Sequence, residues 1–204
     1  MTVTIIASGL DKFSKFAEEL PDLYAEAAYL AVNEASRDTV PMLKSKMRSQ
    51  INFPSGYLNK DRLGVRKSAT RTTLQAVISG RDRATSLARF VKGSQATKGG
   101  RRVGPVNVEV KTGAQTELKR AFLVNLRNGN TGLAIRLPKG QTPDSAYHPT
   151  QLTRQGGQGQ SVWLLYGPSV DQVMRGVSGD VQDDVMSMLD RNFSRQISRL
   201  VRRG

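Results

Sequence analysis

The sequence predicts an α+β protein, with amphipathic helices at both ends flanking a mainly antiparallel β-sheet and with long basic and Pro/Gly/Gln-rich loops. Three observations carry that expectation. Apolar residues recur at three- and four-residue spacing across 11–50 and again across 181–200, β-branched residues alternate with polar ones in short runs between 62 and 166, and Gly, Pro and Asn clusters separate those runs. At 204 residues, with 38% hydrophobic residues, the chain is long enough for one core of its own. It reads as a single domain over 1–204, with loop insertions near 93–104 and 138–160.

Residues 2–6 (Thr-Val-Thr-Ile-Ile) predict a short strand, ended by Ser8-Gly9. Phe13, Phe16, Ala17 and Leu20 then share one helical face, and Leu23, Ala27, Leu30, Ala31 and Ala35 share another. Between them Pro21 suits the first turn of a second helix, where its missing N–H would have no partner in any case. Pro41 marks a place for a kink. Phe-Pro-Ser-Gly-Tyr at 53–57 is a turn, after which the period changes to that of strands at 62–67, 72–79 and 105–111. The basic, glycine-rich segment 93–104 has almost nothing to bury and is expected as an exposed loop.

A hairpin is expected from 121–126 and 133–137, joined through Asn128-Gly129. Prolines 138, 143 and 149 with Gly156, Gly157 and Gly159 argue against regular structure across 138–160. Val162 to Tyr166 reads as a strand that Gly167-Pro168 ends. In the tail, Val181, Val185, Met188, Leu189, Phe193, Ile197 and Leu200 form one apolar face. Asp180, Asp183 and Asp184 stand at its start and Arg202 and Arg203 at its end, as the helix dipole favours.

The charge is strongly uneven. Lys and Arg number 31 against 17 Asp and Glu, a net +14, and residues 58–120 hold 15 of those bases against 4 acids. A balance of this kind favours polyanionic partners. The candidate contacts for nucleic acid or for an acidic partner are Arg62, Arg66, Lys67, Arg71, Arg81, Arg83, Lys98, Arg101 and Arg102, with Arg89 and Lys92 in the same stretch. Phosphate neutralisation by these groups would be insensitive to sequence and sensitive to salt. An acidic protein surface suits them equally, because Phe90 is the only aromatic residue there to stack on a base.

No catalytic, cofactor-binding or metal-ligating residue is nominated. The chain has no cysteine, which excludes disulfides and thiolate metal sites. His148 is the single histidine and is expected as an exposed loop residue. The three aspartates at 180–184 are better explained by the helix dipole than by a cation. The glycine-rich segment lacks the order of a phosphate-binding loop, and no run of 18 apolar residues is present to span a bilayer.

The Ala27-Ala28-Tyr29-Leu30-Ala31-Val32-Asn33-Glu34-Ala35 helix, the basic run from Arg62 to Arg71 and the Leu165-Tyr166-Gly167-Pro168-Ser169-Val170 stretch before a last amphipathic helix resemble the prophage minor tail protein Z family. The likeness covers most of the chain in order and composition. The long stretch at 138–160 departs from it. The resemblance implies a non-enzymatic tail-completion protein of a tailed bacteriophage, found in the virion tail or neck and made in the host cytoplasm. It implies a homo-oligomeric ring, preferably hexameric, which meets tail tube, tail terminator or connector proteins, contacts the genome DNA end or acidic neighbours, and has no membrane partner. Tyr166, Gly167, Pro168, Val185, Leu189, Phe193 and Ile197 are then the candidate subunit contacts. The alternative expectation is a sequence-nonspecific basic nucleic-acid-binding protein outside any virion.

Overall fold

The computed structural model describes residues 2–6, 21–93, 105–152 and 159–202, and the backbone alone at 97–98 and 101–102. The protein is α+β, with helices toward both ends of the chain and antiparallel strands between them. Its residues group into two compact units, one of 1–47, 58–82 and 170–204, the other of 48–57 and 83–169.

The first unit is built on helix α1, Pro21–Gln50, which runs through Met47 before entering the second unit. Pro21 starts it, as its fixed φ allows, and Asp22 lies in the first turn, where the dipole favours an anion. Ala27, Ala28, Ala31, Val32 and Ala35 are fully buried, so the helix presents a face of small side chains that lets its backbone approach what it packs against. The helix continues through Pro41, which is exposed, and the expected kink does not end it. The expected helical face at Phe13 to Leu20 lies outside the described residues.

Three antiparallel strands complete the sheet of this unit in the order β1 (Thr2–Ile6), β3 (Gln75–Gly80) and β2 (Leu63–Lys67). The central strand buries Ala76 and Ile78, the alternate residues of one face, while Val3 and Val65 sit opposite Ile78 on its two neighbours. Strand β3 starts three residues later than the Thr72 expected from sequence, because Thr70 and Thr73 close a turn with paired backbone bonds. Helix α2, Val170–Val177, was not legible in the sequence as a separate element; it buries Val170, Val173, Met174 and Val177. Helix α3, Gln182–Val201, buries Val185, Leu189 and Phe193 and carries Asp183 and Asp184 in its first turn. Phe193 meets Tyr24 of α1 edge to face, with ring centroids 5.2 Å apart.

The second unit centres on strand β13, Gln160–Ser169, within the sheet order β10 (Ala121–Asn125), β11 (Thr131–Pro138), β13, β12 (Thr150–Leu152). The β10–β11 hairpin forms as expected. Gly129 adopts a φ of 76° in its turn, and Leu126 donates to Asn130 O at 2.8 Å. Two expectations are corrected here. The strand does not stop at Gly167-Pro168 but pairs onward with β4 (Ala84–Ser86), a register shift between Gly167 and Ser169 leaving Pro168, which has no N–H to give, outside the ladder. Nor is 138–160 free of regular structure, since β12 pairs with β13 through Thr150 to Leu152, and a short 3-10 turn spans Ser145–Tyr147.

A smaller sheet in this unit has the order β5 (Val91–Lys92), β8 (Val106–Val108), β9 (Thr116–Leu118), so the strand expected over 105–111 is shorter than its alternation suggested. Within the segment expected as a loop, β6 (Thr97–Lys98) and β7 (Arg101–Arg102) pair antiparallel. Phe53 stacks on Tyr57 at 5.6 Å and meets Phe90 at 5.9 Å, which fastens the chain after α1 to this unit. Glu109 accepts the Gly113 N–H at 2.9 Å and pairs with Lys92 at 3.1 Å. The backbone bond first, and then the lysine, hold its carboxyl below the ordinary carboxylate range.

Candidate functional site: a basic groove and an apolar recess

Along α1, Leu30, Asn33, Arg37, Val40 and Lys44 recur at three- and four-residue spacing and so form one stripe. That stripe is one wall of an open groove of about 630 Å³ in the first unit. The other wall comes from Lys60 and from Leu63, Gly64, Val65 and Arg66 of β2. Among the described residues its lining includes four cationic side chains, Arg37, Lys44, Lys60 and Arg66, and no carboxylate. Two acids of α1 are engaged elsewhere: Glu26 pairs with Arg71, and Glu34 accepts Arg195 Nη2 and Gln196 Nε2, each at 2.7 Å.

Asn33, also in the lining, ties α1 to the chain after β2. Its side-chain amide donates to Ala69 O at 3.0 Å and its carbonyl oxygen accepts the Ala69 N–H at 2.8 Å, so a single side chain satisfies both backbone groups of a buried residue. Removing it strands both groups. We expect Asn33→Ala to cost about 2 kcal/mol in chemical denaturation, with Asn33→Asp, which keeps only the acceptor, falling between it and wild type. A loss below about 0.5 kcal/mol, the level of an ordinary surface substitution, would contradict this role.

The basic residues singled out in the sequence do not all join this groove. Arg66 does; its Nη2 donates to Asp61 O at 2.6 Å. Lys67 is exposed at the end of β2, Arg71 is exposed and paired with Glu26, and Arg62 and Arg81 are half-buried, their backbones joined by the Arg81 N–H donating to Arg62 O at 2.8 Å. Arg83, Lys98, Arg101 and Arg102 belong to the second unit, where Arg83 is exposed and the others lie on β6 and β7. Arg89, also exposed, sits over the Tyr57 ring at 5.2 Å. Sequence reasoning missed Arg37, Lys44 and Lys60. The signal was available in the seven-residue spacing of Arg37 and Lys44, hidden by the near neutrality of 1–57 as a whole.

The candidate subunit contacts divide in a similar way. Val185, Leu189 and Phe193 are buried in the first unit, so for these three the expectation of a contact surface is replaced by a core role; Ile197 is half-buried. Tyr166, Gly167 and Pro168 do come together, and with Leu87, Val108 and Tyr147 they line an open, largely apolar recess of about 340 Å³ in the second unit. A Cβ at Gly167 would stand 3.2 Å from Leu87 Cδ2 and 3.3 Å from Phe90 Cε2, so a larger residue there would need both side chains to give by a few tenths of an ångström.

His148 is exposed and closes the Ser145–Tyr147 turn with a φ of 40°, its N–H donating to Ser145 O at 2.9 Å. Among the described residues no group of three or more His, Cys, Asp or Glu is placed to hold a metal ion, and no helix is long and apolar enough to cross a membrane. Fold and sites together define an α+β protein with a cationic groove in one unit and an apolar recess in the other. Comparison with protein-family models, with curated proteins and with solved structures finds no match to this chain.

Proposed function

We propose that this chain is a non-catalytic structural component of a tailed bacteriophage: a tail-completion protein that assembles as a ring, a hexamer being the simplest, at the head-proximal end of the tail or in the neck. There it supports head-tail joining through tail tube, tail terminator or connector proteins. The recess carries the reading. Tyr166, Gly167 and Pro168 belong to the run that resembles the prophage minor tail protein Z family, and they line a concave apolar wall of the size that takes a side chain or turn of a neighbour. A contact in which one surface of a subunit fills a different surface of the next closes into a ring when the rotation permits. The excess of positive charge suits acidic neighbours or the genome end.

Quantitative mass spectrometry of purified particles tests the proposal. A constant ratio to the main tube subunit corresponding to about six copies per tail is the expected result for a closed cyclic ring. Absence of the chain from virions would overturn it.

A further inference from the structure

The groove beside α1 has a property that its charge alone does not explain. Leu63, Gly64, Val65 and Arg66 all border it. A strand that turned one of its faces to a groove would contribute alternate residues. Four in succession mean that the groove runs along the edge of β2, the outermost strand of its sheet among the described residues. Because Arg62 O accepts the Arg81 N–H and Gly64 lies opposite Ser79, the antiparallel alternation commits the Arg62 carbonyl and the backbone groups of Gly64 to β3, while the Arg62 N–H goes to Asn59 O at 3.1 Å. Those of Leu63 and Val65 turn to the other side, where the Leu63 N–H is taken by Asn59 O at 2.9 Å. The N–H and C=O of Val65 are left at the border of the groove.

We infer that this groove receives an extended acidic peptide segment of a partner protein, which adds to β2 as a further strand. Backbone bonds to Val65 would set its register. Side chains on one face of the added strand, every second residue, would then pass Arg37 and Lys44 on the helix wall, while Lys60 and Arg66 flank the ends. Carboxylates at those positions would meet cations with no opposing acid among the described lining residues. Nucleic acid is the less favoured occupant, because among the described residues no aromatic side chain lines the groove, and a phosphate backbone has no use for a strand edge. The inference stands whether or not the chain is a tail component.

Fluorescence anisotropy on the full chain tests it with three labelled probes: a peptide of about ten residues alternating Val and Glu, the same peptide with prolines at the positions that would bond β2, and a duplex DNA of arbitrary sequence. The expected result is binding of the first peptide, weakened at least about tenfold by the prolines and at least about tenfold by the double change Arg37→Glu and Lys44→Glu. Because the prolines are placed in the probe, the strand test does not depend on a variant that has to fold. Equal binding of the two peptides would overturn strand addition, duplex binding without peptide binding would overturn the choice of occupant, and no binding of any probe would overturn the site.

Discussion

Phe193→Ala should lower the stability of the first unit by about 3–5 kcal/mol, the range for truncating a fully buried aromatic side chain. Phe193 is completely buried on α3, beside Leu189 and below the edge-to-face contact with Tyr24 of α1. Two costs combine. The transfer free energy of the ring is lost, and a cavity is left that the surrounding helices can close only in part. The aromatic pair adds about 0.5–1.5 kcal/mol beyond burial, so Tyr24→Ala in the Phe193→Ala background should cost less than in wild type. Met186→Ala, on the same helix but 40% exposed, is the control and should stay within about 0.5 kcal/mol. Urea denaturation followed by far-ultraviolet circular dichroism measures all of these. A loss below about 1 kcal/mol for Phe193→Ala would mean that this helix face does not pack in a core.

That helix also shows which parts of the molecule were readable in advance. Its apolar period and its terminal charges agree, and the structure places Val185, Leu189 and Phe193 inward and Asp183 and Asp184 in the first turn. Periodicity, however, identifies a face that must be covered without saying whether the same chain or another covers it. Reading those residues as subunit contacts therefore missed their use in the core.

The strands were legible where β-branched residues alternated, as in β8, β11 and β13, and illegible in short strands without that pattern, as in β4, β5 and β12. Short strands owe their pairing to the neighbour more than to their own composition. Pro168 was read as a terminator for a sound local reason, and the bulge beside it is what lets the strand continue. The groove was hidden for a different cause. Arg37 and Lys44 come from a segment with almost no net charge, and the pairing of Glu26 with Arg71 and of Glu34 with Arg195 takes two of its acids away from their stripe. Which acids are engaged elsewhere is a tertiary fact, absent from any window of sequence.

Gly80→Ala should cost about 3 kcal/mol, at the upper end of the usual range for overpacking, although the added group is a single methyl. A Cβ at Gly80 would stand 2.8 Å from both the N and the Cα of Asp171 and 3.1 Å from the carbonyl carbon of Val170. All three are backbone atoms at the start of α2, so no rotamer change can make room. Strand and helix would have to separate by some tenths of an ångström, at the point where the Asp171 N–H donates to Arg81 O at 3.0 Å. Val170 and Met174, fully buried on that helix, would move with it.

Gly132→Ala supplies the contrast, because its Cβ would also meet a neighbour at 2.8 Å, but that neighbour is Leu164 Cδ2, the end of a side chain and not backbone. Rotation of Leu164 relieves the contact, and replacing a glycine inside a strand recovers about 0.5–1 kcal/mol of conformational entropy, so the net change should lie within about 1 kcal/mol of zero. Equilibrium unfolding of the two variants distinguishes steric contact with backbone from steric contact with side chain at the same distance. Comparable losses in both would show that the first unit yields at the junction of β3 and α2 as readily as a leucine turns, and would remove the close approach at Gly80 as a constraint on the fold.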